Sequence, residues 1–244
     1  MQYRPRLALV PALTLVTIGV LTANPCLAAL GLTGPAEDRE PVPVPALSAE
    51  RASLLSRFVT PQTVGDPTAS HPGLDPDHLV PKVLLDQAVS YYDANRDRIP
   101  NKKYLTVVDF TVHSRKTRLF IADMTTGKVE ALHVAHGTGS DPGDSGVATH
   151  FSNTVDSHMS SLGFYLTAET VEGSHGLSLC LDGLSPTNSR AREREILVHG
   201  ADYVEDSNVK QGMSWGCFAL SIDSYARVIN GIKGGSVIFA GLTQ

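Results

Sequence analysis

The chain contains the stretch Ser214-Trp215-Gly216-Cys217, in which a cysteine follows a glycine at what the sequence indicates is a tight turn. Eighteen positions before the cysteine, His199 ends a short apolar strand. A thiol is a strong nucleophile only as a thiolate, and a neighbouring imidazole produces the thiolate near neutral pH. If the two segments lie side by side, Cys217 and His199 form a Cys–His catalytic pair.

The residues around Cys217 fit a nucleophile loop. Because Gly216 has no side chain, the backbone N–H groups of Gly216 and Cys217 can converge on a developing oxyanion. Residues 218–220 continue as an apolar segment that anchors the loop, and Ser214 and Trp215 are assigned to the same loop. The alternative is a buried structural cysteine on a turn, because free thiols are often merely buried.

His199 is the predicted general base, and its second ring nitrogen needs an acceptor that fixes the tautomer. A backbone carbonyl near Gly200 fits this role as well as a carboxylate does. The alternative is that His199 is a satisfied surface or core group at a strand end.

The composition excludes some partners. The chain has 244 residues, 42% of them hydrophobic, and a net charge of −5 without a long run of one sign. Such a chain has room for one good core. It offers no basic patch that neutralises phosphates, which argues against nucleic acid as a partner.

The N-terminus has the three features of a secretory signal peptide. Arg4 and Arg6 form a positive region, residues 7–21 form an apolar run, and small residues follow at Ala28 and Ala29. The apolar run is short for the roughly 20 residues that a spanning helix needs. We therefore expect residues 1–28 to be removed, and the mature protein to be exported to the periplasm or cell envelope without a membrane anchor.

The rest of the chain divides into three parts. Residues 29–76 are rich in proline, which stiffens the chain and offers no core, so they are predicted to be a linker with one short helix capped by Ser48. Residues 77–103 carry apolar residues at helical spacing over 81–96 and are predicted to be a helix that packs on the following domain. That domain, with the catalytic residues, is predicted to span residues 104–244.

From residue 104 onward the pattern changes to short strands, and a turn containing Gly127 joins two of them into a hairpin. Helices fit only residues 188–194 and 222–232, and the mixed charges of residues 190–195 indicate a solvated helix face. Many short strands with few helices predict a mainly β fold, a sandwich or a barrel-like domain. The predicted strands are residues 104–112, 118–123, 129–134, 162–167, 177–181, 196–198 and 237–240.

A glycine-rich stretch with two histidines is a further candidate. The spacing of His133 and His136 fits no recurring zinc-ligand pattern, and we predict no metal. Gly137 and Gly139 lack the third glycine of a dinucleotide loop, so no cofactor is expected. His136 and Gly137 are instead predicted to shape one wall of a substrate cleft.

Neutral polar side chains supply the other candidates for substrate binding. Ser152, Asn153 and Ser161 offer donors and acceptors that suit peptide amides or sugars. The alternative is that they only form turns, as such residues usually do in loops.

Two cysteines remain after export. Cys180 lies in a strand-like run and is predicted to be a small buried thiol. A disulfide between Cys180 and Cys217 is the alternative for an exported protein, but it would consume the nucleophile.

Five motifs of the chain resemble the murein L,D-transpeptidase (YkuD-like) family. They are His136-Gly137-Thr138-Gly139-Ser140, Phe151-Ser152-Asn153, Ser161-Leu162-Gly163-Phe164-Tyr165, Val198-His199-Gly200-Ala201 and Ser214-Trp215-Gly216-Cys217. The resemblance covers residues 104–242 and implies a β-rich L,D-transpeptidase fold, with peptidoglycan stem peptides as the substrate class.

The resemblance also implies roles for individual residues. Cys217 attacks the amide that follows the diaminopimelate residue of a tetrapeptide stem, releases the terminal D-alanine and holds the acyl group as a thioester. His199 matches the family base, Gly200 matches the position whose carbonyl orients that base, and Ser214 and Gly216 match the frame of the cysteine loop. An amine of another stem, a lipoprotein lysine or water then resolves the thioester.

The chain departs from the family pattern at three positions. Ala219 stands where the broader family usually has arginine, but the narrower branch, which resembles this chain better, often has alanine there. Trp215 replaces a histidine, and Phe218 replaces a proline of the narrower branch. Loss of the arginine removes a cation that orients a substrate carboxylate or supports the loop. Specificity therefore stays open, with two alternatives: an L,D-carboxypeptidase that uses water, and a non-catalytic wall-binding module of the same fold.

Overall fold

The structure is a computed structural model that describes residues 44–243. The predicted signal peptide, residues 1–28, and the first part of the predicted linker lie outside the described residues. None of the described helices combines the length and the apolar character that crossing a membrane requires.

The described residues contain ten strands, and eight of them form one sheet. Their bounds are β1 (Tyr104–Asp109), β2 (Leu119–Asp123), β3 (Val129–Leu132), β4 (His136–Gly137), β5 (Gly163–Gly173), β6 (Gly176–Gly183), β7 (Leu197–Gly200), β8 (Met213–Ser214), β9 (Phe218–Leu220) and β10 (Val237–Gly241). The sheet order is β3-β2-β1-β10-β5-β6-β7-β9, and β4 and β8 form a separate parallel pair. Within the large sheet, β1–β10 and β7–β9 are parallel neighbours and the other neighbours are antiparallel.

Four α-helices accompany the sheet in the described residues: α1 (Ala49–Leu55), α2 (Pro67–Ser70), α3 (Lys82–Asn95) and α4 (Tyr225–Ile232). The predicted cap of α1 is confirmed, because the Ser48 hydroxyl accepts a hydrogen bond from the backbone N–H of Arg51 at 3.1 Å. The structure thus confirms a mainly β domain with few helices.

Helix α3 packs on one face of the sheet. Its apolar residues enter a core cluster together with residues of β1, β2, β5 and β10. Tyr91 of α3 stacks on Phe164 of β5 with 3.7 Å between ring centroids, and Phe164 stacks in turn on Phe239 of β10 at 4.4 Å. Full burial of each such ring contributes roughly 1.5–3 kcal/mol relative to exposure.

A second core cluster contains the buried side chains of α4. Val228, Ile229 and Ile232 of α4 belong to the same buried cluster as Tyr165 and Phe218. Phe218 packs edge-on against Tyr165, with ring centroids 5.4 Å apart. Because Phe218 follows Cys217 directly, the core fixes one end of the cysteine loop.

The predicted helix at residues 188–194 is wrong, since this segment forms turns. The side chain of Asn188 accepts from Ser185 N and donates to Phe164 O, so the segment is tied to the sheet by contacts that compete with a helix. Glu195 ends it with a positive φ of 53°. The solvated charged face predicted here is also wrong, because Arg192 and Arg194 are half-buried.

An ion network holds residues 44–51 against β6. The buried carboxylate of Asp182 accepts from Arg51 Nε at 2.7 Å and from Arg192 Nε at 2.5 Å. Arg192 also donates to the backbone oxygen of Pro45 at 2.7 Å, and Val44 packs on the apolar cluster that includes Cys180. The boundaries of linker, helix and domain stay predictions, but this part of the linker region is in contact with the sheet.

Candidate active site

The two catalytic candidates lie on neighbouring parallel strands. In the register of β7 and β9, His199 is opposite Ala219, and Cys217 immediately precedes β9. Side chains two residues apart on a strand share a face. Cys217 lies next to Leu197 of the neighbouring strand, two residues before His199.

Backbone groups contact the half-buried thiol of Cys217. The N–H of Leu197 donates to its Sγ at 3.4 Å, and the thiol donates to the carbonyl oxygen of Glu195 at 3.4 Å. A hydrogen bond to sulfur favours the charged form of a thiol. The Leu197 N–H therefore favours the thiolate, whereas the Glu195 carbonyl, which accepts the S–H proton, favours the neutral thiol.

His199 is almost fully buried, with 1% of its surface exposed. Its Nδ1 lies 3.0 Å from the carbonyl oxygen of Gly200, and a carbonyl only accepts, so Nδ1 carries the proton and Nε2 the lone pair. Burial, and after it the neighbouring His175, lower the pKa of His199 to about 4. At neutral pH the imidazole is thus uncharged and oriented by the residue that the sequence indicated.

Ser214 holds the cysteine loop closed. Its hydroxyl donates to the backbone oxygen of Cys217 at 2.8 Å and accepts from the N–H of Gly216 at 3.1 Å. Gly216 has a φ of +119°, which a residue with a side chain rarely adopts. Trp215 is 45% exposed and stacks on His158 with 4.3 Å between centroids.

Strand β4 places Gly137 against this loop. Gly137 is opposite Ser214 in the β4–β8 pair. A Cβ at position 137 would lie 2.3 Å from the carbonyl oxygen of His158 and 3.0 Å from the N–H nitrogen of Gly216. Only glycine fits at this contact between the two loops.

The side chain of His136 points into the interior. Its Nδ1 lies 2.7 Å from Nη2 of the buried Arg118, and its Nε2 lies 3.5 Å from Oδ2 of Asp141. Burial, and then the charge of Arg118, lower the pKa of His136 to about 4. A direct contact between this side chain and substrate stays a prediction. In the described part of the chain, no three His, Cys, Asp or Glu side chains are grouped as a metal ion requires.

Ser152, Asn153 and Ser161 tie neighbouring segments together. The Asn153 amide donates to Pro186 O at 3.1 Å, and the hydroxyl of the buried Ser161 lies 2.9 Å from the Tyr165 hydroxyl. Their role in substrate binding stays a prediction.

Two residues beside the candidate pair were not predicted from the sequence. His175, in the turn between β5 and β6, stacks on His199 with 4.3 Å between ring centroids. The available signal was that His175 precedes a glycine, as His136 and His199 do. Arg194 is half-buried against the cysteine loop, and no local pattern marks it.

Cys180 is a buried free thiol, as predicted, and is not bonded to Cys217. Burial raises the pKa of Cys180 to about 11. This thiol therefore stays protonated at neutral pH.

The L,D-transpeptidase catalytic domain family matches residues 77–240. The chain therefore belongs to this family, and the mainly β fold is the fold of that catalytic domain. No sequence among the curated proteins matches the chain.

Several solved structures are similar to the chain at low identity. An L,D-transpeptidase from Mycobacterium smegmatis has a TM-score of 0.37 and 13% identity, with 57% of this chain and 58% of that chain covered. Bd1075 from Bdellovibrio bacteriovorus has a TM-score of 0.35 and 16% identity, with 56% and 47% covered. The helical cell shape determining protein Pgp2 from Campylobacter jejuni has a TM-score of 0.35 and 11% identity, with 57% and 47% covered. The chain thus spans less than two thirds of the length of these proteins.

Proposed function

We propose that the protein is an exported, cysteine-dependent acyltransferase that acts on peptidoglycan stem peptides in the periplasm or cell envelope. The observation that carries the proposal is that His199 lies on β7 and Cys217 directly precedes the neighbouring strand β9, inside the part of the chain that matches the family. The substrate class follows from family membership, and the chemistry follows from the two side chains.

In the first half-reaction, Nε2 of His199 takes the proton of the Cys217 thiol. The thiolate attacks the carbonyl carbon of the amide that precedes the terminal D-alanine. We expect the N–H of Cys217 to bind the oxyanion, because the N–H of Gly216 is held by Ser214. The C–N bond then breaks, and His199 returns the proton to the leaving amine. A thioester at Cys217 and free D-alanine remain. Because the pKa of His199 is depressed, its protonated form is a strong acid toward the leaving group.

In the second half-reaction, an amine of another stem or of a lipoprotein lysine attacks the thioester. It gives its proton to His199, and the C–S bond breaks to restore the thiolate. Water in place of the amine gives an L,D-carboxypeptidase. The protein's own residues supply every proton transfer in this scheme, and activity is expected to survive a metal chelator.

The first test is covalent labelling by a carbapenem, an acylating mimic of the stem, measured as the mass of the intact protein. We expect one adduct on the wild type, none on Cys217→Ala, and an unchanged adduct on the control Cys180→Ala. His199→Gln is expected to slow acylation by roughly 10²–10⁴-fold, as for a lost general base. A wild type that forms no adduct would contradict the proposal.

The second test identifies the acceptor from the products of tetrapeptide muropeptides. Cross-linked dimers support transpeptidation, and tripeptides support hydrolysis by water. Unchanged muropeptides that nevertheless bind the protein would instead support a wall-binding module.

A further inference from the structure

Arg194 crosses from the turn segment before β7 to the loop at residues 152–161. Its Nη1 donates to Ser152 O at 2.8 Å and to Ser161 Oγ at 3.1 Å, and its Nη2 donates to Ser157 Oγ at 3.3 Å and to Met159 O. All four acceptors are neutral oxygens. Within residues 44–243, no carboxylate forms a salt bridge with Arg194.

The guanidinium of Arg194 packs directly on the cysteine loop. A Cβ built on Gly216 would lie 3.2 Å from Nη2 of Arg194. The next residue after Arg194, Glu195, contributes the carbonyl oxygen that contacts the Cys217 thiol at 3.4 Å. Burial lowers the pKa of Arg194, and the interactions with Tyr165 and then Cys217 oppose this lowering. The same attraction favours a negative charge on the sulfur.

The site needs such a charge because its other groups do not supply one. Ala219, two residues after Cys217, is uncharged. Burial and His175 keep His199 neutral at neutral pH, so a lasting thiolate–imidazolium pair is disfavoured. Burial raises the pKa of Tyr165 to about 12, so this hydroxyl is neutral, and Glu195 carries a negative charge when ionised. A guanidinium is charged at any pH in which the protein works.

We propose that Arg194 is a positioning residue that supplies a permanent positive charge beside Cys217, and that this charge stabilises the thiolate relative to the thiol. The role is electrostatic, because the four hydrogen bonds fix the guanidinium in place and no proton is transferred to or from it. The inference deepens the proposed function and rests on it for its biological meaning.

The test measures the ionisation of Cys217 without any substrate. The full chain is treated with iodoacetamide, a neutral alkylating reagent, and the rate is read from the peptide that carries Cys217 by mass spectrometry. For Arg194→Gln we expect an alkylation rate at pH 7 about tenfold lower, because one opposite charge nearby shifts ionisation by that factor or more. Arg194→Lys keeps the charge and is expected to stay within about threefold of the wild type.

The matched control is Arg190→Gln, which removes the same charge from the same segment. Arg190 is exposed and paired with Glu193, so its loss is expected to leave the rate unchanged. A purely structural role predicts that Arg194→Lys is as slow as Arg194→Gln, since lysine cannot make the four hydrogen bonds. That result, or an unchanged rate in Arg194→Gln, would overturn the proposal.

Two further outcomes separate this proposal from the proposed function. If the wild type forms no carbapenem adduct but Arg194→Gln still slows alkylation, the proposed function fails and the role of Arg194 stands. If Arg194→Gln acylates slowly but alkylates at the wild-type rate, Arg194 does not act through the thiolate.

If Arg194→Gln does not fold, Arg194→Lys decides alone: an alkylation rate within threefold of the wild type supports the role of the charge, and a tenfold loss refutes it.

Discussion

Gly216→Ala is the substitution with the most definite expected effect, because the structure leaves no room for a side chain at this position. The φ of +119° is unfavourable for alanine. The added Cβ would lie 2.7 Å from the carbonyl oxygen of Met159, and that oxygen is itself held by Arg194. The cysteine loop must therefore move, and Cys217 moves with it.

A second glycine, Gly234, separates the cost of the backbone strain from the cost of the steric clash. Gly234 also has a positive φ, +82°, but a Cβ there would meet nothing within 4 Å. We expect Gly234→Ala to lose about 1–2 kcal/mol of unfolding free energy from backbone strain alone. Gly216→Ala is expected to lose about 1–3 kcal/mol more, the usual cost of overpacking. Each kcal/mol lowers the melting temperature of a domain of this size by about 2–4 °C.

Thermal unfolding and carbapenem acylation of the two variants provide the assay. Displacement of the nucleophile by about 1 Å costs on the order of 10²-fold in rate, so Gly216→Ala is expected to acylate about that much more slowly. Gly234→Ala is expected to acylate like the wild type. Equal melting temperatures, together with wild-type acylation by Gly216→Ala, would refute the argument that the loop excludes a side chain.

Three more expected outcomes concern stability. The pKa of His199 is about 4 in the fold and 6.5 normally, so the folded state is destabilised as the pH falls from 6.5 toward 4. In urea unfolding, the free energy of unfolding should be about 2 kcal/mol lower at pH 5 than at pH 7. His199→Gln should remove this difference. Asp182→Ala leaves two half-buried arginines without their shared carboxylate and should lower the free energy of unfolding by about 3 kcal/mol. Glu193→Gln, at an exposed pair, should leave the melting temperature unchanged. Equal melting temperatures for the two variants would contradict the network. In chemical denaturation, Tyr91→Ala should lower the free energy of unfolding by about 3–5 kcal/mol. Val83→Ala, on the exposed side of α3, should lower it by less than about 0.5 kcal/mol. Similar losses in both variants would argue against the packing described.

Local chemistry made part of this site predictable. A glycine before a cysteine and a histidine at the end of an apolar run are visible in the sequence, and both segments were placed correctly as a turn and a strand. Ser48 was recognised as a cap because capping depends on the few residues that follow it. The family motifs added the mainly β fold, which the family match and the strands confirm.

Contacts between distant segments explain what could not be predicted. Strands β4, β8 and β9 have two or three residues, too few for a periodic pattern, and exist because their partners lie beside them. The segment at residues 188–194 has the composition of a helix, but Asn188 binds the sheet instead. Arg194 and His175 reach the site across the fold, from a turn segment and a hairpin, so no spacing in the sequence relates them to Cys217.

The difference between the two described thiols has a practical consequence. Cys180 is enclosed in the sheet and keeps its proton, whereas Cys217 is only half-buried and is the proposed nucleophile. Under mild conditions, a thiol-specific dye should therefore mark one position per folded molecule in the described chain. The number of dye molecules bound then counts the competent molecules in a preparation, so that turnover can be expressed per functioning centre.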